Sequence, residues 1–200
     1  RRTRTSYHLE WGITGNSGTG KSEIAKLLAK KINAEIINAD LVAKKLSEPG
    51  NIYNEKIIEL FGEEILENKK INRKKLAEIV YNNSQKRGLL NNLTYIYVGN
   101  EIKHMVKLTK KQNVIIDVPL LFESGLDKIC DFTIAVLADE KTKVERICKR
   151  DGIDEIVAKE RLAIQPEIEY YRNHADYLMG NNGNLNEINL EEICTKIGKN

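Results

Sequence analysis

Several residue types and patterns are scarce in this 200-residue chain, and each shortage excludes a class of protein. Its 3 cysteines lie far apart and none belongs to a C-x-x-C pair, which argues against a zinc site or a disulfide framework. The longest apolar run, Val114 to Phe122, is interrupted by Asp117 and Pro119, so it predicts a buried strand and its exit, not a membrane span. Because unpaired cysteines suit a reducing compartment, we expect a cytoplasmic protein.

Charge of one sign is also scarce, since the formal net charge is +3 and Arg1, Arg2 and Arg4 alone account for it. A nucleic-acid-binding protein usually carries a basic patch or a strongly basic domain, and the sequence shows neither. We therefore expect no nucleic-acid partner, no membrane partner and no obligate protein partner. Residues 1–6 are interpreted as a disordered leader or an expression remnant, ahead of a single domain over 7–200.

The most informative pattern present is the string G-N-S-G-T-G-K-S at Gly15 to Ser22, which matches G-x-x-x-x-G-K-[ST] in full. Backbone amides of such a loop wrap around phosphate, because glycine permits the tight turns. The lysine reaches the β- and γ-phosphates, the serine hydroxyl ligates Mg²⁺, and the following helix presents its positive end to the phosphate. The residues predicted to bind ATP here are Gly15, Asn16, Ser17, Gly18, Thr19, Gly20, Lys21, Ser22 and Glu23.

Strands alternate with helices along the chain, as in α/β proteins with a parallel sheet. The segments that predict strands are 9–14, 34–38, 114–118, 131–137 and 177–179, with a turn at 181–184 and a closing helix at 185–197. The sequence therefore predicts a P-loop nucleotide-binding parallel sheet flanked by helices. Ligands of such sheets bind beyond the carboxyl ends of the strands, where the glycine-rich loop lies.

Two helical segments are predicted to interrupt the core, which consists of about 7–50, 112–139 and 173–200. The first, 51–111, has helical patterning without a strand signal and is interpreted as an insertion that binds the acceptor. The second, 140–172, consists of charged helices with a break at Asp151-Gly152 and is interpreted as a lid.

Two aspartates follow predicted strands and are candidates for chemistry. Asp117 ends an apolar strand, which places its carboxylate beside the phosphate loop, where it can hold Mg²⁺ directly or through water. Asp40 follows the second strand and can accept a hydrogen bond from an attacking hydroxyl. Simpler roles stay open at this point, namely a turn or cap for Asp117 and an N-cap for Asp40.

Three arginines of the predicted lid are candidates for binding phosphate. Arg146 and Arg150 lie four residues apart and therefore share a helix face, and Arg161 lies on the next helical stretch. Planar guanidinium groups match phosphate oxygens, so closure of a lid would bring these groups onto the transferred phosphate. The alternative is that they belong to a solvated helix surface.

Signals of other nucleotide-binding proteins are missing. Asn68 to Ile71 reads N-K-K-I and lacks the aspartate of a guanine-reading N-K-x-D, and Asp117 to Leu120 reads D-V-P-L, not the D-x-x-G of GTPase switches. No L-S-G-G-Q string of transport ATPases occurs. A small phosphotransferase with an acceptor-binding helical insertion is the plainest interpretation.

Taken together, the patterns resemble the dephospho-CoA kinase family over about residues 12–183. The shared strings are G-I-T-G-N-S-G-T-G-K-S (12–22), A-D (39–40), E-P-G (48–50), F-G (61–62), I-N-R-K-K-L (71–76), D-V-P-L-L-F-E-S-G-L (117–126), K-R-D-G (149–152), R-L-A-I-Q (161–165), A-D (175–176) and N-N-G (181–183). A phosphate loop is common to many enzymes, whereas the D-V-P-L-L-F-E string and the ordered set are far more specific.

The resemblance implies a nucleotide core, a helical domain for the CoA moiety and a lid. It implies transfer of the ATP γ-phosphate to the ribose 3′-hydroxyl of dephospho-CoA, the last step of CoA synthesis, with ATP as co-substrate and Mg²⁺ as cofactor. Catalysis is assigned to Asp40, Lys21 and Arg146, and ATP binding outside the loop to Arg146, Arg150, Asn182 and Gly183. The residues assigned to the acceptor are Asp40, Arg73, Leu76, Tyr81, Tyr95, Asp117, Leu120 and Arg161.

Two positions depart from the pattern of that family. Asn38-Ala39-Asp40 stands where D-A-D is usual, so the second carboxylate alone is kept, and Tyr95-Ile96 stands where a His-Pro pair is usual. A tyrosine can stack or form a hydrogen bond, but it cannot carry the charge of a protonated histidine. Two alternatives therefore stay open: another small-molecule or nucleoside kinase on the same core, and a non-catalytic nucleotide-binding regulator.

Overall fold

The computed structural model describes residues 8–183 and 190–197. The predicted leader at 1–6 and the start of the predicted closing helix at 185–189 lie outside the described residues. The rest folds into two compact units, one formed by the described residues up to Ile37 and from Thr109 onward, and the other by Asn38–Leu108. The second unit begins earlier in the chain than the predicted insertion and ends slightly before it.

The described elements run in the following order along the chain. They are β1 (Leu9–Gly15), α1 (Lys21–Ile32), β2 (Ala34–Asn38), α2 (Ala39–Leu46), α3 (Ile52–Phe61), β3 (Leu66–Glu67), β4 (Lys70–Ile71), α4 (Arg73–Asn82), α5 (Ser84–Leu108), β5 (Asn113–Asp117), β6 (Phe132–Leu137), α6 (Glu140–Asp151), α7 (Glu155–Ala163), α8 (Ile168–His174), β7 (Tyr177–Gly180) and α9 (Leu190–Ile197), with short 3-10 helices at Glu63–Ile65 and Leu126–Ile129.

The first unit is built on a five-stranded sheet with the strand order β2-β5-β1-β6-β7. β1 pairs in parallel with both β5 and β6, and β6 pairs in parallel with β7. The inner strand β5 has a continuous apolar run, Val114 to Ile116, as is typical of a parallel sheet with both faces covered. Ile13, Ile115 and Ile134 on the strands pack with Ile24 and Leu28 of α1 in one fully buried cluster. The predicted fold class, a mostly parallel P-loop sheet flanked by helices, is confirmed.

The second unit consists of four helices and a short hairpin. α5 packs against α2, α3 and α4, which explains why α2 belongs to this unit. The prediction that residues 52 to 111 contain no strand was wrong, because β3 and β4 pair as an antiparallel hairpin. Each of these strands has two residues, too few for an alternating pattern, and the turn between them is made by Asn68 and Lys69 at positive φ without a glycine.

Several helices in the two units begin at a side-chain cap. The side chain of Asn38 accepts a hydrogen bond from Leu41 N and thereby begins α2, and Asn72 accepts from Lys74 N and Lys75 N at the start of α4. Asp139 caps α6 in the same way. Among the helices in the described part of the chain, none combines the length and the apolar character that crossing a membrane requires.

Candidate active site

The glycine-rich string forms a loop between β1 and α1, as its strand and helix context predicts. α1 begins at Lys21, so the amide groups of its first turn point toward the loop. A side chain cannot be added at Gly18 or at Gly20. A Cβ at Gly18 would lie 2.5 Å from the Lys143 carbonyl oxygen, and both Gly18 and Gly20 have positive φ, at 78° and 77°.

Lys21, Ser22 and Asp117 form one polar cluster where β5 ends. The Lys21 ammonium donates to one oxygen of the Asp117 carboxylate, and the Ser22 hydroxyl donates to the other at 3.0 Å. The Asp117 side chain is 1% exposed and that of Lys21 11%. A buried carboxylate needs such partners, because an unpaired charge in the interior is strongly disfavoured.

Arg146 lies against the backbone of the phosphate loop. Its guanidinium group donates to the carbonyl oxygens of Gly18 at 3.2 Å, Asn181 at 2.9 Å and Gly183 at 3.3 Å. The rigid fork of arginine donors suits such a set of acceptors. Arg146 therefore ties the phosphate loop to the segment after β7.

The Asn181 side chain makes a second tie between the same two segments. Asn181 is 3% exposed and its amide nitrogen donates to the Thr19 carbonyl oxygen at 2.8 Å. Its Oδ1 atom has no hydrogen-bond partner within 8–183 and 190–197. A Cβ at Gly20 would lie 2.5 Å from this amide nitrogen, so the last glycine of the loop makes room for Asn181. The next residue, Asn182, accepts a hydrogen bond from Asp139 N at 2.7 Å.

The other two arginines of the predicted lid converge on Asp151. Arg150 donates through two of its nitrogens to the Asp151 carboxylate, at 2.8 and 3.0 Å, and Arg161 donates to it at 3.1 Å. The hydrogen bond from Arg150 holds the pKa of Asp151 below its ordinary value. In this structure Asp151 thus engages both guanidinium groups, while Arg146 alone of the three arginines makes the loop contacts described above.

The segment from the end of α7 to the middle of α8 contacts the phosphate loop through residues that have no assigned role in the sequence predictions. Gln165, Pro166 and Tyr171 form hydrogen bonds with Asn16 and Ser17 of the loop. Gln165 belongs to the R-L-A-I-Q string, which was a signal for its importance but did not indicate what it touches. Asn181 is likewise the first residue of the N-N-G string, next to Asn182 and Gly183, which are predicted to bind ATP.

The candidate residues of the second unit are described within that unit. Asp40 is exposed and is the second residue of α2, whose cap is Asn38, so the alternative role of Asp40 as an N-cap is wrong. Arg73 begins α4, where Leu76 is buried and Tyr81 is 40% exposed. Tyr95 lies within α5. Leu120, in the first unit, is half-buried in the turn after β5.

A magnesium site was predicted at Ser22 and Asp117. Within the described ranges, no group of three or more His, Cys, Asp or Glu side chains could hold a metal ion by itself. Mg²⁺ in phosphotransferases is commonly bound by one or two protein oxygens together with substrate phosphates and water. The hydroxyl of Ser22 and the carboxylate of Asp117, 3.0 Å apart, fit that smaller requirement.

Comparison with known proteins gives a consistent result. A family model described as dephospho-CoA kinase matches residues 10–187. A dephospho-CoA kinase of Fusobacterium nucleatum is 38% identical over 93% of this chain and 97% of its own length, and one of Oceanobacillus iheyensis is 35% identical over 90% and 92%.

A solved structure of dephospho-CoA kinase from Campylobacter jejuni superimposes with a TM-score of 0.62 at 29% identity and covers 95% of each chain. Similarity in sequence and in fold thus extends over nearly the whole chain. The chain belongs to the dephospho-CoA kinase family.

Proposed function

We propose that this chain transfers the γ-phosphate of ATP to the ribose 3′-hydroxyl of dephospho-CoA and releases CoA and ADP. Membership of the family makes it an ATP-dependent kinase of dephospho-CoA that acts in CoA biosynthesis, in agreement with the sequence prediction. The observation that carries the proposal in this chain is the polar cluster of Lys21, Ser22 and Asp117 within a complete phosphate loop.

Phosphoryl transfer depends mainly on positioning and on neutralising negative charge. In the proposed reaction the Lys21 ammonium moves from Asp117 to the β- and γ-phosphates when ATP binds. The amides at the start of α1 and the Arg146 guanidinium hold the other phosphate oxygens. Asn182 and Gly183 lie beside the adenine, and Arg150 and Arg161 bind phosphate when the lid closes.

Asp40 is proposed to orient the 3′-hydroxyl of the acceptor and to take its proton late in the transfer. The side chain is exposed and Asn38 already caps α2, so the Asp40 carboxylate is available to a substrate. Because a carboxylate is a weak base toward an alcohol, orientation comes before proton acceptance. The remaining residues proposed to contact the acceptor are Arg73, Leu76, Tyr81, Tyr95, Asp117, Leu120 and Arg161.

Mg²⁺ is the proposed metal, held by Ser22 and Asp117. Bound there, it would neutralise phosphate charge during the transfer. Both protein ligands are oxygens, which suits a hard cation. The prediction of a cytoplasmic location stays a prediction, as does the expectation that no protein, membrane or nucleic-acid partner is needed.

The test is release of ADP from ATP and Mg²⁺ with dephospho-CoA as acceptor, compared with adenosine and shikimate at the same concentrations. ADP release that requires dephospho-CoA, with a product mass increased by one phosphoryl group, is the expected result. Phosphorylation of another acceptor in preference to dephospho-CoA would favour the alternative of a different small-molecule kinase. ATP binding without turnover of any acceptor would favour the alternative of a regulator.

A further inference from the structure

Gln165, which lies outside the phosphate loop, forms a pair of hydrogen bonds with one loop residue, Ser17. The backbone N–H of Ser17 donates to Gln165 Oε1 at 2.9 Å, and Gln165 Nε2 donates to the Ser17 hydroxyl oxygen at 2.9 Å. A single side-chain amide therefore binds the main chain and the side chain of the same loop residue. The two contacts fix both the position and the orientation of the amide plane.

The neighbouring residue of the loop, Asn16, also forms two hydrogen bonds, with Pro166 and Tyr171, which follow Gln165 in the chain. Its amide nitrogen donates to the Pro166 carbonyl oxygen at 2.9 Å, and its Oδ1 accepts from the Tyr171 hydroxyl at 2.6 Å. Tyr171 is 2% exposed, and burial raises the pKa of its hydroxyl, so Tyr171 remains a donor throughout the neutral range. Four hydrogen bonds thus join two consecutive loop residues to the segment between α7 and the middle of α8.

These contacts are not required by the phosphate-loop motif, because Asn16 and Ser17 occupy positions where any residue is accepted. In this structure the Gln165 amide accepts a hydrogen bond from an N–H and donates one to a hydroxyl oxygen. A glutamine does both, whereas an ionised glutamate offers acceptors alone. Residue 165 is also separated from Ser17 by 148 positions in the chain, so the contact forms only when the α7–α8 segment lies against the phosphate loop.

We propose that Gln165 is a positioning residue for phosphoryl transfer. Through its contacts with Ser17, Gln165 couples the position of the α7–α8 segment to the conformation of the phosphate loop. Gln165 does not need to touch the reacting atoms for this role. It holds Ser17 in the arrangement of the loop that receives the terminal phosphates of ATP. The proposal rests on the proposed kinase function and adds a residue to it.

Three variants separate this role from a merely structural one. Gln165→Ala removes both contacts, Gln165→Glu keeps the size and the acceptor but adds a negative charge beside the phosphate loop, and Gln112→Ala is the matched control. Gln112 is exposed and precedes β5, at the amino end of a strand whose carboxyl end carries Asp117. For each variant the kcat, the KM for ATP and the KM for dephospho-CoA are measured, together with the melting temperature.

For Gln165→Ala we expect kcat to fall about 10- to 100-fold, which is the size of effect that misplacement by about 1 Å causes. The melting temperature should stay within a few degrees of the wild-type value, and Gln112→Ala should match the wild type. Gln165→Glu accepts from both Ser17 groups when the hydroxyl rotates, so we expect near-normal loop order, with a raised KM for ATP that increasing salt reduces. A kcat for Gln165→Ala within twofold of the wild-type value would overturn the proposal.

Two further measurements do not depend on which acceptor the enzyme uses. Hydrogen exchange of the peptide that contains residues 15–20 should become faster in Gln165→Ala without nucleotide, and unchanged exchange would overturn the proposal. In a double-mutant cycle, Gln165→Ala should lower kcat/KM by a smaller factor when Ser17→Ala is already present, because one of the two contacts is then gone. Equal costs in both backgrounds would show that Gln165 does not act through Ser17. If the wild type fails to phosphorylate dephospho-CoA while the exchange result holds, the kinase assignment fails and the coupling stands.

Discussion

Lys21 and Asp117 form a buried ion pair although 96 residues separate them in the chain. The strand β5 ends at Asp117 and the helix α1 begins at Lys21, so the pair joins the sheet to the phosphate loop. The same carboxylate accepts a hydrogen bond from the Ser22 hydroxyl. The residue proposed to bind the phosphates of ATP therefore also pairs with a buried carboxylate, and substitutions at this pair should affect both activity and stability.

Lys21→Ala should lower the turnover by about two or more orders of magnitude, because a preorganised positive charge at the transferred phosphate is lost. It should also lower the free energy of unfolding by about 3 kcal/mol, since it removes the cation that accompanies a buried carboxylate. Chemical denaturation and ADP release measure the two effects. In the double variant Lys21→Ala/Asp117→Asn, part of the stability should return while the activity does not. A stable Lys21→Ala enzyme would contradict the structural role of the pair.

Asp40→Asn should lower the turnover with dephospho-CoA about 10²- to 10⁴-fold, the usual contribution of a general base. The melting temperature should be nearly unchanged, because the cap of α2 is Asn38 and not Asp40. Asn38→Ala is the control for stability and should cost about 1 kcal/mol through the lost cap, whereas Asn38→Asp should retain it. Steady-state kinetics and thermal melting separate these effects. Retention of most of the wild-type rate by Asp40→Asn would remove Asp40 from the catalytic assignment.

Arg146→Ala should destabilise the protein as well as inactivate it. Its guanidinium group donates to three carbonyl oxygens, so we expect a loss of about 1–3 kcal/mol in unfolding free energy, together with a large fall in turnover. Arg150→Ala, which removes an exposed arginine paired with its neighbour Asp151, should change stability by less than about 1 kcal/mol. Urea denaturation of both variants tests the difference, and equal stabilities would contradict it.

The stability should fall at alkaline pH through Cys130. Burial raises the pKa of this thiol above its ordinary value of 9.0, and nearby carboxylates such as Asp127 and Glu10 add to the effect. Below pH 9 the folded and unfolded states both hold the proton, so the thiol makes no difference to the pH dependence there. Above it the unfolded state loses the proton while the folded state keeps it, so the free energy of unfolding decreases as the pH rises.

Cys130→Ala provides the matching measurement. Between pH 7 and pH 10 the difference in unfolding free energy between the wild type and Cys130→Ala should shrink by about 1.4 kcal/mol, the value of one pKa unit. The contribution of the buried Tyr171 hydroxyl is present in both proteins and cancels. A constant difference over this range would show that the Cys130 thiol ionises equally in both states.

The fold class and the function could be predicted from the sequence because their signals are local and ordered. The apolar run of β5 is continuous, as buried parallel strands require, and the family assignment confirms the function that the ordered strings implied. The β3–β4 hairpin was missed because two-residue strands carry no periodicity. Which residue caps α2 was also missed, since both Asn38 and Asp40 are capping residue types and the helix start decides between them.

The sequence by itself determined that Gly15 to Ser22 is a phosphate loop, because that loop is made by contiguous residues whose backbone freedom and side-chain chemistry depend little on the rest of the chain. The tertiary structure alone decided which distant side chains hold it. The sequence assigned phosphate binding to Arg146, Arg150 and Arg161 alike, but in the structure Arg146 contacts the loop carbonyl oxygens while Asp151 engages the other two. Gln165 likewise contacts Ser17, which lies 148 positions away in the chain. Such contacts depend on how α6, α7 and α8 pack, and no short sequence pattern encodes that packing.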